Sequence, residues 1–356
     1  MFTVNATSFL PFIEHRIYPD KYRHQKVCFF NGVRKTANRG KIVSMIISAS
    51  RRTDIPAYYA DWFFDRIAKG FVLVRNPMNP RQISRVALDP ESVDCFVFWS
   101  KYPEKFMEKL HLLHDYRFYF QFTLTPYGPE IEKNIPCKSR ILDLFKKLAE
   151  KIGPEKMIWR YDPILLNNDK YSIDYHREQF AILCKELEKC ARKCVISFFD
   201  NYRSVARNTK ELNLRRIEPG YMKQIGFSFA QIASSHKLRL ETCAEAIDLS
   251  EFGIEHGRCI DDRIISELTG HSIKIARDSS QRELCGCVRS VDIGSYSTCP
   301  GNCLYCYATK NFAEARRRFA THDSSAPLLY GELTDHDKIY TRKNESLKIR
   351  QPKLHI

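Results

Sequence analysis

The sequence predicts an α/β protein: a TIM-type β/α barrel, complete or partial, followed by a cysteine-rich segment. Three observations carry that expectation. Apolar strand-like runs alternate with amphipathic helical ones from Met45 onward, the pattern of a parallel sheet covered on both faces. Seven such units occupy residues 45–245, a density that suits a barrel better than an open doubly wound sheet. Seven of the thirteen cysteines then fall between positions 243 and 306.

The elements follow in order. "MIISAS" (45–50) reads as a buried strand, and "YYADWFFDRIAKG" as a helix stopping at Gly70. "FVLVRN" (71–76) is expected as the second strand and "CFVFWS" (95–100) as the third. "FMEKLHLLHD" has helical spacing, and "FYFQFTLT" (118–125) is the fourth strand. "SRILDLFKKLAEKIG" is an amphipathic helix ending on Gly153. Strand "MIWRYDPILL" (157–166), helix "REQFAILCKELEKC", strand "CVISFFD" (194–200), a helical stretch to about Ser235 and strand "LRLETCAE" (238–245) complete the series. No G-x-G-x-x-G or G-x-x-x-x-G-K follows any strand, which argues against a nucleotide-binding fold.

Composition narrows the class. At 44% hydrophobic and 28% charged residues the chain is an ordinary globular one, not an intrinsically disordered one. It holds no run of about 18 apolar residues, so no membrane span is expected. The N-terminus lacks the layout of a secretory signal, which implies a reducing cytoplasm in which the cysteines stay unpaired. The net charge of +15 is concentrated at the ends: +6 in residues 1–44 and +4 in 340–356, leaving +5 for the 295 residues between. Basic tails are ordinarily solvated, so nucleic acid is a partner that charge permits without favouring. The expected organisation is an N-terminal extension (1–44, disordered or preceding a native start at Met45), the barrel (45–280), the cysteine segment (281–320) and a tail (321–356).

The polar residues gather at the strand ends. Arg51, Arg52, Thr53 and Asp54 follow the first strand, Arg75 and Asn76 the second, Ser100 and Lys101 the third. Arg160 and Asp162 lie inside an otherwise apolar strand, where charges need partners. In barrels this end is the catalytic face. Arg52, Asp54, Lys101, Arg160 and Asp162 are therefore the candidate substrate-facing residues. Wet loops alone would account for about half of such polarity.

The cysteines divide. Cys95, Cys184, Cys190 and Cys194 sit in apolar patterns as small hydrophobes, and Cys28 and Cys137 carry no assignment. "TCPGNCLYCYA" (298–308) places Cys299, Cys303 and Cys306 within eight residues. Structural zinc closes its shell with four ligands, as does a fully ligated cubane. Three thiols with no histidine nearby in sequence suit a 4Fe–4S cluster with one iron left open to a small molecule. Cys243, Cys259, Cys285 and Cys287 make a second set of four. They suit a second 4Fe–4S cluster, a zinc site, or no metal at all. The "RRR" of "NFAEARRRFATHD" (Arg316–Arg318) suits helix capping more than a nucleic-acid contact.

Cys299-x₃-Cys303-x-Tyr305-Cys306 resembles the radical S-adenosylmethionine (SAM) signature, C-x₃-C-x-aromatic-C. That resemblance implies three thiolates on a 4Fe–4S cluster, SAM chelating the open iron, and Tyr305 against its adenine. It further implies reductive cleavage of SAM to a 5′-deoxyadenosyl radical that abstracts hydrogen from an unknown substrate, with flavodoxin or ferredoxin as electron donor. The cysteine loop of that superfamily follows the first barrel strand, whereas here it follows the last, and no glycine-glycine-glutamate segment for the SAM amino group is evident. More specifically, "ISASRRTDIPAYY", "VRNPMNP", "FVFWSKYPE", "FQFTLTPY", "RYDPI" and "CGCVRSVDIGSYSTCPGNCLYCYA" resemble the bacterial family termed domain of unknown function 1848. The barrel with its cluster is more distantly similar to spore photoproduct lyase. The alternative expectation is an iron–sulfur protein serving redox or nucleic-acid binding without SAM.

Overall fold

A computed structural model of the chain describes residues 45–200, 203–273 and 275–342. The expectations placed on residues 1–44, Cys28 and the last fourteen positions lie outside the described residues. In chain order the elements are β1 (Met45–Ala49), α1 (Ile55–Tyr58), α2 (Ala60–Lys69), β2 (Phe71–Arg75), β3 (Gln82–Ala87), β4 (Val93–Ser100), α3 (Glu104–Glu108), β5 (Phe118–Thr123), α4 (Lys138–Ile152) and β6 (Met157–Ile164). Then come α5 (Ile173–Glu186), β7 (Lys193–Phe198), α6 (Arg203–Ala206), α7 (Pro219–Ser235), β8 (Arg239–Thr242), β9 (Glu255–His256), α8 (Asp262–Thr269), β10 (Val291–Asp292), α9 (Phe312–Ala320) and β11 (Lys338–Thr341).

Alternation along the strands builds the core. Ile47, Ala49, Phe96, Phe98, Phe120, Phe122, Met157, Trp159 and Ile196 belong to the large apolar cluster shared with the helices. Their neighbours Ile46, Cys95, Val97, Tyr119, Ile158 and Val195 belong to a second cluster, as the two-residue period of a strand requires. The helices match. In α4 the buried positions Ile141, Leu144, Phe145, Leu148 and Ile152 recur at helical spacing, and Gly153 ends it. Gly70 ends α2 in the left-handed region at φ 72°, where the missing Cβ removes the steric cost. Cys95, Cys184 and Cys194 are buried, as small hydrophobes should be.

The strands form one parallel sheet in the order β10-β1-β4-β5-β6-β7-β8-β9. Eight strands is a barrel's number, but the sheet is not closed: among the described residues no pairing joins β9 to β10. A closed barrel fills its interior with its own strands' side chains. Here Cys259, Ile260, Ile264, Ile265, Ile273, Cys285, Cys287 and Val288, from the segment between β9 and β10, pack on that second face instead.

Two placements differ from expectation. "FVLVRN" is not in the main sheet: β2 pairs antiparallel with β3, and β11 adds parallel to β3, making a small separate sheet. The link from β2 to β3 is six residues, Asn76 to Arg81, and a parallel crossover needs a dozen or more. Part of the expected C-terminal tail is therefore a strand, tied in by Arg75 Nη1 to Asp337 Oδ1 at 2.6 Å. The cysteine segment is likewise not an appendage, because β10 pairs with β1, Ile47 opposite Val291 and Ser48 opposite Asp292.

Candidate functional site

The loop carrying Cys299, Cys303 and Cys306 leaves the carboxyl end of β10 and lies over the carboxyl ends of β1, β4 and β5. Asp292 fixes its root. That buried carboxylate accepts from Ser48 Oγ and Ser50 Oγ at 2.7 Å each, from the Arg51 N–H at 2.9 Å and from the Gly294 N–H at 3.0 Å. Ser297 and Asn302 hold left-handed backbone at φ 54° and 52°, turning the chain sharply on either side of Cys299. The loop then pairs with residues 131–134. Leu304 N–H donates to Ile131 O at 3.0 Å, Asn134 N–H to Gly301 O at 3.2 Å, and Glu132 bridges Cys303.

Glu132 is the hub of this end. Its carboxylate is buried and accepts from Lys101 Nζ at 2.8 Å, from Thr125 Oγ1 at 2.7 Å, and from Lys138 Nζ and the Tyr305 hydroxyl. Burial alone would raise its pKa, but the two ammonium groups hold it at about 2. Lys101 also lies over the Tyr305 ring, 5.5 Å from its centroid. The hydroxyl of Tyr305 is thus spent on Glu132, and its ring meets Tyr127 edge-on.

The backbone amides of Asp54 and Gly301 favour the thiolate of Cys299. Burial pushes this thiol up to about 12 and Cys303 well above the ordinary thiol range. Thiols so placed stay protonated until a cation arrives. Asp54 caps α1 through the Ala57 N–H at 3.0 Å and accepts the Lys101 N–H at 2.8 Å. Its burial raises it to about 6. Arg52 lies over the Tyr296 ring, 5.2 Å from the centroid, with Asp292 3.9 Å away.

Arg160 and Asp162 stand apart from that group. They pair with each other, Asp162 also accepts from Ser197 Oγ, and Arg160 Nη1 donates to Cys259 Sγ at 2.7 Å. Their burial is offset by this mutual attraction, which keeps Arg160 charged and Asp162 below the ordinary carboxylate range. Cys243 Sγ meets Cys259 Sγ at 3.2 Å, and Cys287 lies within electrostatic reach of Cys259, Cys285 and Cys243. The four quartet cysteines thus share one apolar cluster. The five polar candidates divide: Arg52, Asp54 and Lys101 at the trio, Arg160 and Asp162 at the quartet. Lys101 and Asp162 act on each other across the gap.

Sequence reasoning missed Glu132, Lys138 and Asp292. The signal was weak: "EIEKN" reads as an ordinary polar loop, and a two-residue strand such as β10 has no measurable period. Of the triple arginine, Arg318 is structural, paired with Glu314 and donating to Tyr296 O at 3.1 Å. Among the described residues, no group of three or more His, Cys, Asp or Glu side chains stands at the spacing of a ready metal site. No described helix is long and apolar enough to cross a membrane.

Fold and site together define an α/β protein whose parallel sheet bears two cysteine groups at its carboxyl edge. Residues 46–308 match the family described as domain of unknown function (DUF1848), and the chain belongs to that family. No curated protein matches the chain.

Proposed function

We propose that this chain is a radical-SAM-type iron–sulfur enzyme, with Cys299, Cys303 and Cys306 as the ligands of a 4Fe–4S cluster. The observation that carries the reading is the placement of the three thiols. They act on one another electrostatically at the carboxyl ends of parallel strands, on a loop that follows a strand adjacent to β1. Late in the chain, the loop nonetheless follows a strand that lies beside β1, which supports the reading despite the superfamily's different chain order. The open eight-stranded sheet is read here as an incomplete barrel.

The donor set suits such a cluster. Soft thiols, amide N–H groups on sulfur and a nearby ammonium are what an anionic iron–sulfur centre requires. Gly301 keeps the cradle open, since a Cβ there would meet Ile135 Cδ1 and Tyr58 Oη at 3.2 Å and Cys299 Sγ at 3.5 Å. When bound, the cluster supplies single electrons to a sulfonium such as SAM. The chain's own groups do the rest. Lys101 and Arg52 present positive charge toward a carboxylate or phosphate, and Asp54, raised to about 6, exchanges its proton in mildly acidic solution where Glu132 does not. Arg160 and Asp162 form the wall on the quartet side. Tyr305, tethered to Glu132, offers a ring face in a fixed orientation.

Anaerobic reconstitution tests this. About four irons and four sulfides should bind at the trio, and dithionite should drive SAM cleavage to 5′-deoxyadenosine. Cys299→Ala, Cys303→Ala and Cys306→Ala together should abolish both. Cleavage retained by that triple variant would end the proposal.

A further inference from the structure

We infer that Cys243, Cys259, Cys285 and Cys287 bind one divalent soft metal ion, zinc by class, rather than a second cluster. Three features support this. The first is spacing. Tetrahedral zinc with Zn–S bonds of about 2.3 Å sets its sulfurs about 3.8 Å apart. Cys243 and Cys259 are 3.2 Å apart, and Cys285 and Cys287 lie in the same apolar cluster, within electrostatic reach of both. A single ion between Cys243 and Cys259 needs that pair to part by about half an ångström. A cubane needs far more, because its thiolates bind four different irons and stand well beyond sulfur–sulfur contact.

The second feature is the outer layer. The Ile260 N–H donates to Cys287 Sγ at 3.4 Å, and the Cys287 backbone amide favours the thiolate of Cys285. Such N–H donors fix thiolates in place. The third is charge. Four thiolates around a divalent cation leave two negative charges. Arg160, also paired with Asp162, donates to Cys259 Sγ at 2.7 Å and acts electrostatically on Cys243, while the Arg51 guanidinium, also beside Asp278 and Asp292, lies within electrostatic reach of Cys287. Positive charge thus stands on two sides of the quartet.

Position gives the ion a task. Cys243 follows β8, whereas the other three belong to the segment that covers the second face of the sheet. One ion would fasten that cover to the strand ends and hold Arg160 by its sulfur partner. The site stands independently of the trio's chemistry.

The test begins with the wild-type chain expressed without added iron and analysed for metals. One zinc per chain is expected, and the Cys299, Cys303, Cys306 triple alanine variant should keep it. Replacement by Co(II) should give the intense visible bands of a tetrahedral tetrathiolate site. Cys285→Ser with Cys287→Ser should take zinc from one equivalent to none while iron at the trio remains. Three results would overturn the inference: zinc well under one equivalent in the wild type, four irons with sulfide bound by the triple variant, or a Cys243–Cys259 disulfide in metal-free protein.

Discussion

At the trio, sulfur meets backbone N–H, lysine and carboxylate; at the quartet, sulfur meets sulfur and guanidinium. The trio thiols sit on one short loop whose shape is set from outside, by Asp292 at its root and by residues 131–134 along its flank. The quartet thiols come from separate stretches, after β8, after β9 and before β10, that share one apolar cluster. On the readings proposed above, the trio takes a guest of many atoms and the quartet a single ion. Cysteine count alone does not distinguish these cases. What each sulfur touches does.

The sharpest break in that comparison is Glu132→Gln. It leaves the partly buried Lys101 and Lys138 against a neutral amide, and unpairing such charge costs up to about 3–5 kcal/mol. Urea unfolding measures the loss. A change under about 1 kcal/mol would mean that the trio loop is held by its backbone pairing alone.

Acid tests the ground both sites share. Strand β6 points Arg160 and Asp162 toward the quartet, while Tyr161, between them, reaches the other face. There its hydroxyl meets His176 Nδ1 at 2.8 Å, and the other ring nitrogen lies 2.7 Å from Leu165 O. Burial lowers His176 to about 4. The unfolded chain takes up this proton near pH 6.5 and the folded chain only near 4, so the neutral form's contribution is complete above 6.5 and is lost as pH falls through that window. The loss approaches about 3 kcal/mol. His176→Gln should flatten this part of the stability–pH curve. An unchanged slope would show that other groups dominate acid unfolding.

The smallest expected effect is that of Gly301→Ala, about 1–2 kcal/mol from crowding Ile135 and Tyr58. Iron uptake should fall with it, while the quartet's metal stays. Equal losses at both sites would erase the distinction between them.

Much of this was legible in the sequence, for identifiable reasons. Long apolar runs such as "CFVFWS" and the helix over 138–152 announce themselves by period. The cysteine spacing announced both sulfur groups, and Arg160 and Asp162 stood out as charges inside an apolar strand. What escaped were features without a local signal. Asp292 gains its meaning largely from serines about 240 positions earlier, and Glu132 largely from Lys101 and Tyr305, 31 and 173 positions away. The placement of β2 was misread because a strand's apolar run does not reveal its partner.

The pairing of β10 with β1 also governs when the protein can become functional. Residue 292 must find residue 48 before the thiol loop has a floor, so almost the whole family region has to leave the ribosome first. Contacts spanning such a length of chain form late. A guest bound as proposed above would thus be delivered to a finished body rather than to a nascent one, and a chain cut short before Val291 would lack the thiol loop altogether.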